Sequence, residues 1–424
     1  MPYKEAFFDN SYKPKKNDLL ALYYLEPAKG TSFELAAEEI AGESSIGTWT
    51  EISSLTNEIK ERLAPTIFHA NKKTRFLQIA YPPELFENGN IPQLMSAVAG
   101  NIFGMSSVKN LRLLDIEFPE SYLKHFKGPA FGVEGIRSLL RVKERPLVGT
   151  IIKPKVGLDE KAHAKVAFDA WFGGCDIVKD DENLTSMRFN NFEKRIAETI
   201  RLRDKCERET GEIKIYMPNI TAPFGEMMRR AEFVKSSGCE YAMVDIVTTG
   251  WSALQELRNA GLGLVLHAHR AGHAAFTRNP QHGISMRVVA KLCRAIGMDQ
   301  LHVGAIVGKM VGEKKEVQVI GEEISESILK EGSHILEQDW LHLKPMLAVC
   351  SGGLHPGKVP ALMRAMGNNI VIQAGGGVSG HKMGTISGAR AMRQAVDATM
   401  NGISLNNYAQ NHSELKIALK QWGK

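Results

Sequence analysis

The chain has 424 residues, length for two or three domains, and its 43% hydrophobic and 24% charged residues describe an ordinary soluble globular protein. Lys and Arg total 53 against 47 Asp and Glu, a net +6 with no long basic block and no basic stripe interleaved with aromatics. An anionic small molecule therefore fits the charge at least as well as nucleic acid, and no nucleic-acid partner is expected. Five single cysteines without a CxxC pair, no apolar signal core after Met-Pro-Tyr-Lys-Glu, and no apolar run of membrane-spanning length exclude a disulfide or zinc framework and a membrane span; a reduced, cytoplasmic chain is expected.

Up to about residue 120 short strands and helices alternate. Strands are expected over 19–25, 48–52, 66–69, 75–80 and near 111–116, and helices over 33–40 and about 92–99. A β-α-β-β-α-β order of this kind predicts a ferredoxin-like α+β domain, residues 1–121. Two small, polar, glycine-bearing segments inside it, Glu43-Ser44-Ser45-Ile46-Gly47-Thr48-Trp49 and Gly100-Asn101-Ile102-Phe103-Gly104, read on their own as turns. A helical pattern over 122–142 forms a linker, residues 122–145, that stops before Pro146, since proline disfavours helix on its N-terminal side.

From 146 to 424 short apolar runs alternate with amphipathic helices at a period of roughly thirty residues, the mark of repeated βα units. Eight strands are predicted over 147–152, 176–178, 214–217, 241–247, 263–266, 301–306, 345–349 and 369–373. Helices over 160–171, 192–207, 226–236, 252–259, 284–296 and 359–366 separate them, with 389–400 and 413–422 packing outside. Eight such units closing on themselves make a TIM (β/α)8 barrel, whose active site lies at the C-terminal strand ends.

The second of these strands ends abruptly in charge: Gly173-Gly174-Cys175-Asp176-Ile177-Val178-Lys179-Asp180-Asp181-Glu182-Asn183. Asp181 and Glu182 supply the hard oxygens that Mg²⁺ prefers. Lys179 among them is a counter-charge or a lysine modified to something anionic. The other strand ends are as rich. Lys153-Pro154-Lys155 follows strand one, and His267-Ala268-His269-Arg270 follows strand five with His273 behind. His302 opens strand six, which runs into Gly304–Gly308 and Lys309. Ser351-Gly352-Gly353 and Gly375-Gly376-Gly377 follow strands seven and eight. Glycine runs after the last two strands suit a phosphate, because backbone N–H groups approach an oxyanion where no Cβ intervenes. Arg270, His302 and Ser351 suit a second anion. Two anion sites flanking Mg²⁺ imply a bisphosphate activated at its middle.

On these motifs the chain resembles ribulose-1,5-bisphosphate carboxylase/oxygenase, Rubisco, and most of all its archaeal form III large subunit; the likeness runs over nearly the whole chain, and the segment around Lys179 is its most specific part. The resemblance implies carboxylation of D-ribulose 1,5-bisphosphate to two molecules of 3-phosphoglycerate, with O₂ competing with CO₂. It implies that Lys179 is carbamylated by a separate activator CO₂ and holds Mg²⁺ with Asp181 and Glu182, the carbamate taking the C3 proton and the metal and nearby cations stabilising the enediolate. Lys153 would protonate the final carbanion with Lys155 beside it, His269 would assist at the C3 oxygen, and Lys309, on a mobile loop, would reach the carboxylate formed from CO₂. Thr48, Trp49, Gly375 and Gly376 would hold one phosphate; Arg270, His302 and Ser351, with Gly352 and Gly353, would hold the other end. Glu43, Thr48, Trp49 and Asn101 would complete the site of a neighbouring subunit, so a homodimer or a larger assembly of dimers is expected, without a small subunit.

Some positions depart from the family pattern: Val311 after Met310, Val303, Ala305, Gly272, Cys350 and Lys382. They bear on loop closure, gas specificity and rate and remove no reacting group. Two other readings compete. One is a Rubisco-like enolase or isomerase that handles another phosphorylated sugar-like substrate without fixing CO₂; the other is a catalytically silent binding or assembly protein. Retention of both Lys179 and Lys309 speaks against the second.

Overall fold

A computed structural model of the chain describes residues 7–48, 50, 52–307 and 314–423. It separates into two compact units, one of Met1–Gly128, Gly272–Ile296 and Glu326–Leu343, the other of Pro129–Ala271, Gly297–Ser325 and Lys344–Lys424.

The first unit is built on β1 (Leu19–Pro27), β2 (Thr66–Asn71), β3 (Phe76–Tyr81) and β4 (Val108–Glu117). They pair antiparallel in the order β4-β1-β3-β2, the ferredoxin-like arrangement, and the two-residue strand Gly283–Ile284 extends the sheet parallel to β4. Alternation along β1 buries Leu19, Ala21, Tyr23 and Leu25. Helix Phe33–Glu43 starts at Ser32, whose hydroxyl accepts the Leu35 N–H, and buries Phe33, Ala36, Ala37 and Ile40 at helical spacing. The strand expected over 48–52 is not formed by the described residues Thr48, Thr50 and Ile52; Trp49 and Glu51 lie outside the described set. A helix, Asn57–Leu63, follows instead, capped by Thr56 and with no buried residue; its one apolar pair, Ile59 and Leu63, is too short a stripe to announce it.

In the second unit, eight strands form one sheet: β5 (Leu147–Ile151), β6 (Ile177–Lys179), β7 (Ile215–Met217), β8 (Tyr241–Asp245), β9 (Val265–His269), β10 (Gln300–Gly304), β11 (Leu347–Ser351) and β12 (Ile370–Gln373). Their order is β7-β6-β5-β12-β11-β10-β9-β8, every pairing parallel. The ring closes between β7 and β8, where the Met243 N–H donates to Pro218 O (2.9 Å) and the Ile220 N–H to Met243 O (3.0 Å). This is a (β/α)8 barrel. Leu147, Ile177, Ile215, Met217, Tyr241, Met243, Val265, Leu347, Val349 and Val371 fill one buried cluster, and helix Gly132–Leu140 adds Val133, Ile136 and Leu140 to it. Outer helices include Glu160–Phe172, Phe192–Thr210, Phe224–Ser236, Val359–Met366 and Thr385–Met400.

Two boundaries differ from the sequence expectation in ways that matter. The single helix predicted over 122–142 is two, Glu120–Leu123 and Gly132–Leu140, broken by Gly128 at φ +64° and Pro129, neither of which continues a helix. Strand five runs to His269 and does not stop at 266, so His267 and His269 point from the strand itself. All five cysteines are buried and free, and among the described residues no helix is long and apolar enough to cross a membrane.

Candidate active site

Successive strand residues face opposite ways. Ile177 lies in the interior cluster, so Lys179 points inward too, while Val178 and Asp180 face the helices. The same count points Asp245 inward beside Met243, His267 and His269 beside Val265, Ser351 beside Val349, and Gln373 beside Val371. His267 Nδ1 lies 3.0 Å from Gln300 Oε1, which turns Gln300, and with it His302, to the same interior. The inward face is therefore apolar low in the barrel and polar near the strand ends.

Lys179 is 1% exposed; its Nζ donates to Asp180 O (2.8 Å) and to Met243 Sδ (3.1 Å) and, among the described residues, to no carboxylate. Burial lowers its pKa to about 8, although Glu182, Asp181, Asp245 and Asp180 all pull the other way. The carboxylates beside it engage different cations. Lys153 Nζ donates to Asp181 Oδ2 at 2.7 Å, Asn183 donates to Oδ1 from its backbone (3.2 Å) and side chain (3.0 Å), and Lys155 Nζ stands 3.4 Å from Glu182 Oε1. Burial tends to raise both carboxyl pKa values, yet both lie below the ordinary range: Asp181 through Lys153 and Asn183, Glu182 through its own backbone N–H, Lys179 and His269.

On the next strands His269 Nε2 lies 3.7 Å from Glu182 Oε2 while its Nδ1 is 2.5 Å from Asp245 Oδ1. His302 packs edge-on against both His267 and His269, with ring centroids 4.7 and 4.8 Å away, and its Nδ1 is 2.8 Å from Ser351 Oγ. Burial keeps His267 and His302 well below the usual imidazole pKa, and Nε2 of each is buried with no partner among the described residues. Burial lowers the Arg270 pKa to about 10, although Glu316 and Cys350 pull the other way. Gly304, at φ +99°, faces this arginine: a Cβ there would stand 2.9 Å from Arg270 Nη2. Gly375 is similar, since its Cβ would stand 3.2 Å from Lys153 Cε, whereas at Gly376 a Cβ would meet only open space. Gly352 (φ +113°) and Gly353 (φ +66°) carry the chain away from Ser351.

The barrel unit thus brings together Lys153, Lys155, Lys179, Asp181, Glu182 and His269, and separately joins His302 to Ser351. Glu43, Thr48 and Asn101 lie in the first unit, where Asn101 Nδ2 donates to Glu43 Oε1 at 3.2 Å. Trp49 and Lys309 lie outside the described residues.

Sequence reasoning passed over the residues that hold this end of the barrel in shape. Asp180, fully buried, takes Tyr216 Oη (2.7 Å), Arg195 Nε (3.2 Å) and the Asn219 N–H (3.1 Å), with His163 Nε2 at 3.0 Å. Asn219 Nδ2 reaches the carbonyls of Glu182 and Leu184, each at 3.1 Å, and so pins the turn bearing the two carboxylates. Asp245 was missed because the strand predicted over 241–247 ran through it. The usable signal was a carboxylate interrupting an apolar run, as at 176–182.

The sequence profile described as "Ribulose bisphosphate carboxylase large chain, N-terminal domain" matches residues 6–122, and that of its "catalytic domain" matches residues 132–422. This chain belongs to the ribulose bisphosphate carboxylase large-chain family. Among Rubisco relatives, the ribulose bisphosphate carboxylase of Methanosarcina mazei is 53% identical over 99% of both chains, and that of Methanocaldococcus jannaschii 49% identical over 98% of this chain and 99% of its own. The solved structure of the dimeric archaeal Rubisco of Hyperthermus butylicus superimposes with a TM-score of 0.93 at 44% identity, covering 98% of each chain. The octameric Rubisco of Pyrococcus horikoshii, in complex with sulfate, gives 0.91 at 48% identity over 99% of this chain and 97% of that one.

Proposed function

We propose that the chain carboxylates D-ribulose 1,5-bisphosphate: CO₂ and water add, the C2–C3 bond breaks, and two molecules of 3-phosphoglycerate leave, with O₂ competing for the same substrate carbon. The observation that carries this reading is Lys179, buried at an inward strand end beside Asp181 and Glu182 without hydrogen-bonding to either. The neutral amine is the form that adds CO₂, and burial makes it accessible near pH 8.

The donor set fits Mg²⁺, a hard cation that takes oxygen ligands. Among the described residues no three of His, Cys, Asp or Glu gather to hold a metal, so Asp181 and Glu182 need a further anionic oxygen, and carbamylated Lys179 would supply it. When bound, Mg²⁺ polarises the oxygens on C2 and C3 of the substrate.

The chain's own residues then divide the work. Lys153, whose ammonium is already within hydrogen-bond reach of Asp181, is the acid that protonates the last carbanion, and Lys155 adds charge beside Glu182. His269 serves the C3 oxygen through Nε2. His302 and Ser351 share one proton between Nδ1 and Oγ, so either Nε2–H or the serine O–H is left to donate to an anion, and Arg270 adds a buried guanidinium. Backbone N–H groups at Gly352, Gly353, Gly375 and Gly376 cradle phosphate oxygens. Lys309 stabilises the new carboxylate at C2. Glu43, Thr48, Trp49 and Asn101 act on the barrel of a partner copy in a homodimer, which the dimeric and octameric relatives support.

The test is incubation with Mg²⁺, labelled bicarbonate and ribulose 1,5-bisphosphate. Under anaerobic conditions label is expected in 3-phosphoglycerate; consumption of the bisphosphate without label would instead support the enolase or isomerase reading.

A further inference from the structure

Asp245 and His269 are register partners on adjacent parallel strands, β8 and β9, both pointing inward. Asp245 is 5% exposed, and its backbone is held on both sides: its N–H donates to Thr221 Oγ1 (3.0 Å) and its carbonyl accepts from Thr249 Oγ1 (2.6 Å). Its carboxylate oxygen lies 2.5 Å from His269 Nδ1, the shortest contact the ring makes. The opposite nitrogen, Nε2, is directed at the Glu182 carboxylate, 3.7 Å away, and His302 packs edge-on at 79° against the ring face. A carboxylate accepts and does not donate, so Nδ1 must carry a hydrogen, and in the neutral imidazole Nε2 then presents its lone pair.

We infer that Asp245 is a positioning residue that fixes His269 as the Nδ1–H tautomer, with Nε2 turned to the reacting centre as a proton acceptor. The inference rests on the role proposed for His269 at the C3 oxygen, and it sharpens that role: His269 begins the cycle able to take a proton from the C3 hydroxyl and cannot begin as a donor. Asp245 touches no reacting atom; it acts through the ring. The arrangement has the same logic as the Asp-His pair of serine hydrolases, where exchanging the carboxylate for an amide leaves the geometry intact and costs about 10⁴ in kcat through the wrong tautomer.

The test uses the full-length protein labelled with ¹⁵N in its histidines. In long-range ¹⁵N–¹H spectra the His269 signal, identified by its loss in His269→Gln, is expected to show a protonated Nδ1 and an unprotonated Nε2. A protonated Nε2 with a bare Nδ1 in the unmodified protein overturns the inference without any variant being made. In Asp245→Leu the acceptor for Nδ1–H is gone, so the pattern is expected to shift toward a protonated Nε2 while kcat falls about 10²-fold or more and KM stays within about threefold. An unchanged pattern in that variant, or a shifted pattern with unaltered kcat, overturns it. Should the unmodified protein make no 3-phosphoglycerate, the carboxylase reading fails, and the spectra still decide whether Asp245 sets the tautomer.

Discussion

Asp180→Asn puts the scaffold of the site under the most direct strain. Wild-type Oδ1 serves Tyr216 Oη and His163 Nε2, and Oδ2 serves Arg195 Nε and the Asn219 N–H. An amide placed with its NH₂ on the Oδ1 side keeps every contact, since both the tyrosine oxygen and a re-tautomerised His163 can accept. What it cannot replace is the charge. Arg195 is fully buried, and removing the partner of a buried ion pair costs about 3–5 kcal/mol; retention of the hydrogen bonds points to the lower end, ~3 kcal/mol. Burial alone would raise the Asp180 pKa, but Arg195, His163 and Tyr216 hold it well below its ordinary 3.8. A carboxyl with a depressed folded pKa contributes stability above its unfolded value and loses it as pH falls through the folded one. The gap between wild type and Asp180→Asn in equilibrium urea unfolding should therefore be full at pH 7 and narrow below about pH 4. A difference under ~1 kcal/mol at pH 7, or one that does not change with acid, would refute the claim that Arg195 depends on this carboxylate.

Lys179→Ala and Lys179→Arg should both abolish carboxylation and activation by CO₂, since neither can carry a carbamate; turnover near wild type in either removes the mechanism. Lys309→Ala should still exchange the C3 proton of ribulose bisphosphate with solvent, measured by tritium wash-in, but form little 3-phosphoglycerate, because stabilising the new carboxylate is worth about 3 kcal/mol; carboxylation at the normal rate would leave Lys309 without a role. Co-expressed Glu43→Ala and Lys179→Ala chains should regain activity in mixed dimers, which contain one site free of both changes, and verified mixed dimers that stay inactive would mean each site is built from one chain. Burial, and then the neighbouring Glu337, Asp115 and Glu331, raise the Glu117 pKa to about 7 despite Lys291. A raised carboxyl pKa makes stability fall as pH climbs from about 4.5 to 7, so in equilibrium urea unfolding Glu117→Gln should be more stable than wild type at pH 8, by about 1–2 kcal/mol, and lose that margin near pH 5.

The barrel was legible because eight apolar runs at regular spacing leave few alternatives, and most of the site was legible because its charged groups stand where those runs stop. Thr48, Thr50 and Ile52 form no strand because β-branched residues favour one only if something pairs with them. Asp245 and Asn219 were invisible for the opposite reason. Each is one polar residue at the end of an apolar run, and only the register, Asp245 opposite His269 and the Asn219–Met243 bridge, gives it a partner.

The segment from Asp176 to Glu182 shows how far composition alone can go. It holds four carboxylates, and the strand and its ends send them to three environments. Asp176, before β6, accepts two bonds from Arg145 (2.6 and 2.7 Å) and the Val148 N–H (2.8 Å), tying the lower ends of β5 and β6 together. Asp180 turns out to the helices and is consumed by Arg195, His163 and Tyr216. Asp181 and Glu182, past the strand, face Lys153, Lys155 and His269 over the barrel mouth. Lys179 falls between, on the inward side, where no carboxylate among the described residues bonds it. Had β6 been shifted by one residue, Asp180 would sit inside the barrel and Lys179 against Arg195, two buried cations facing each other. The lysine's inward position is therefore set by the outward pull of Asp180 as much as by anything in the barrel mouth, which links the chemistry at Lys179 to the stability that Asp180→Asn is expected to remove.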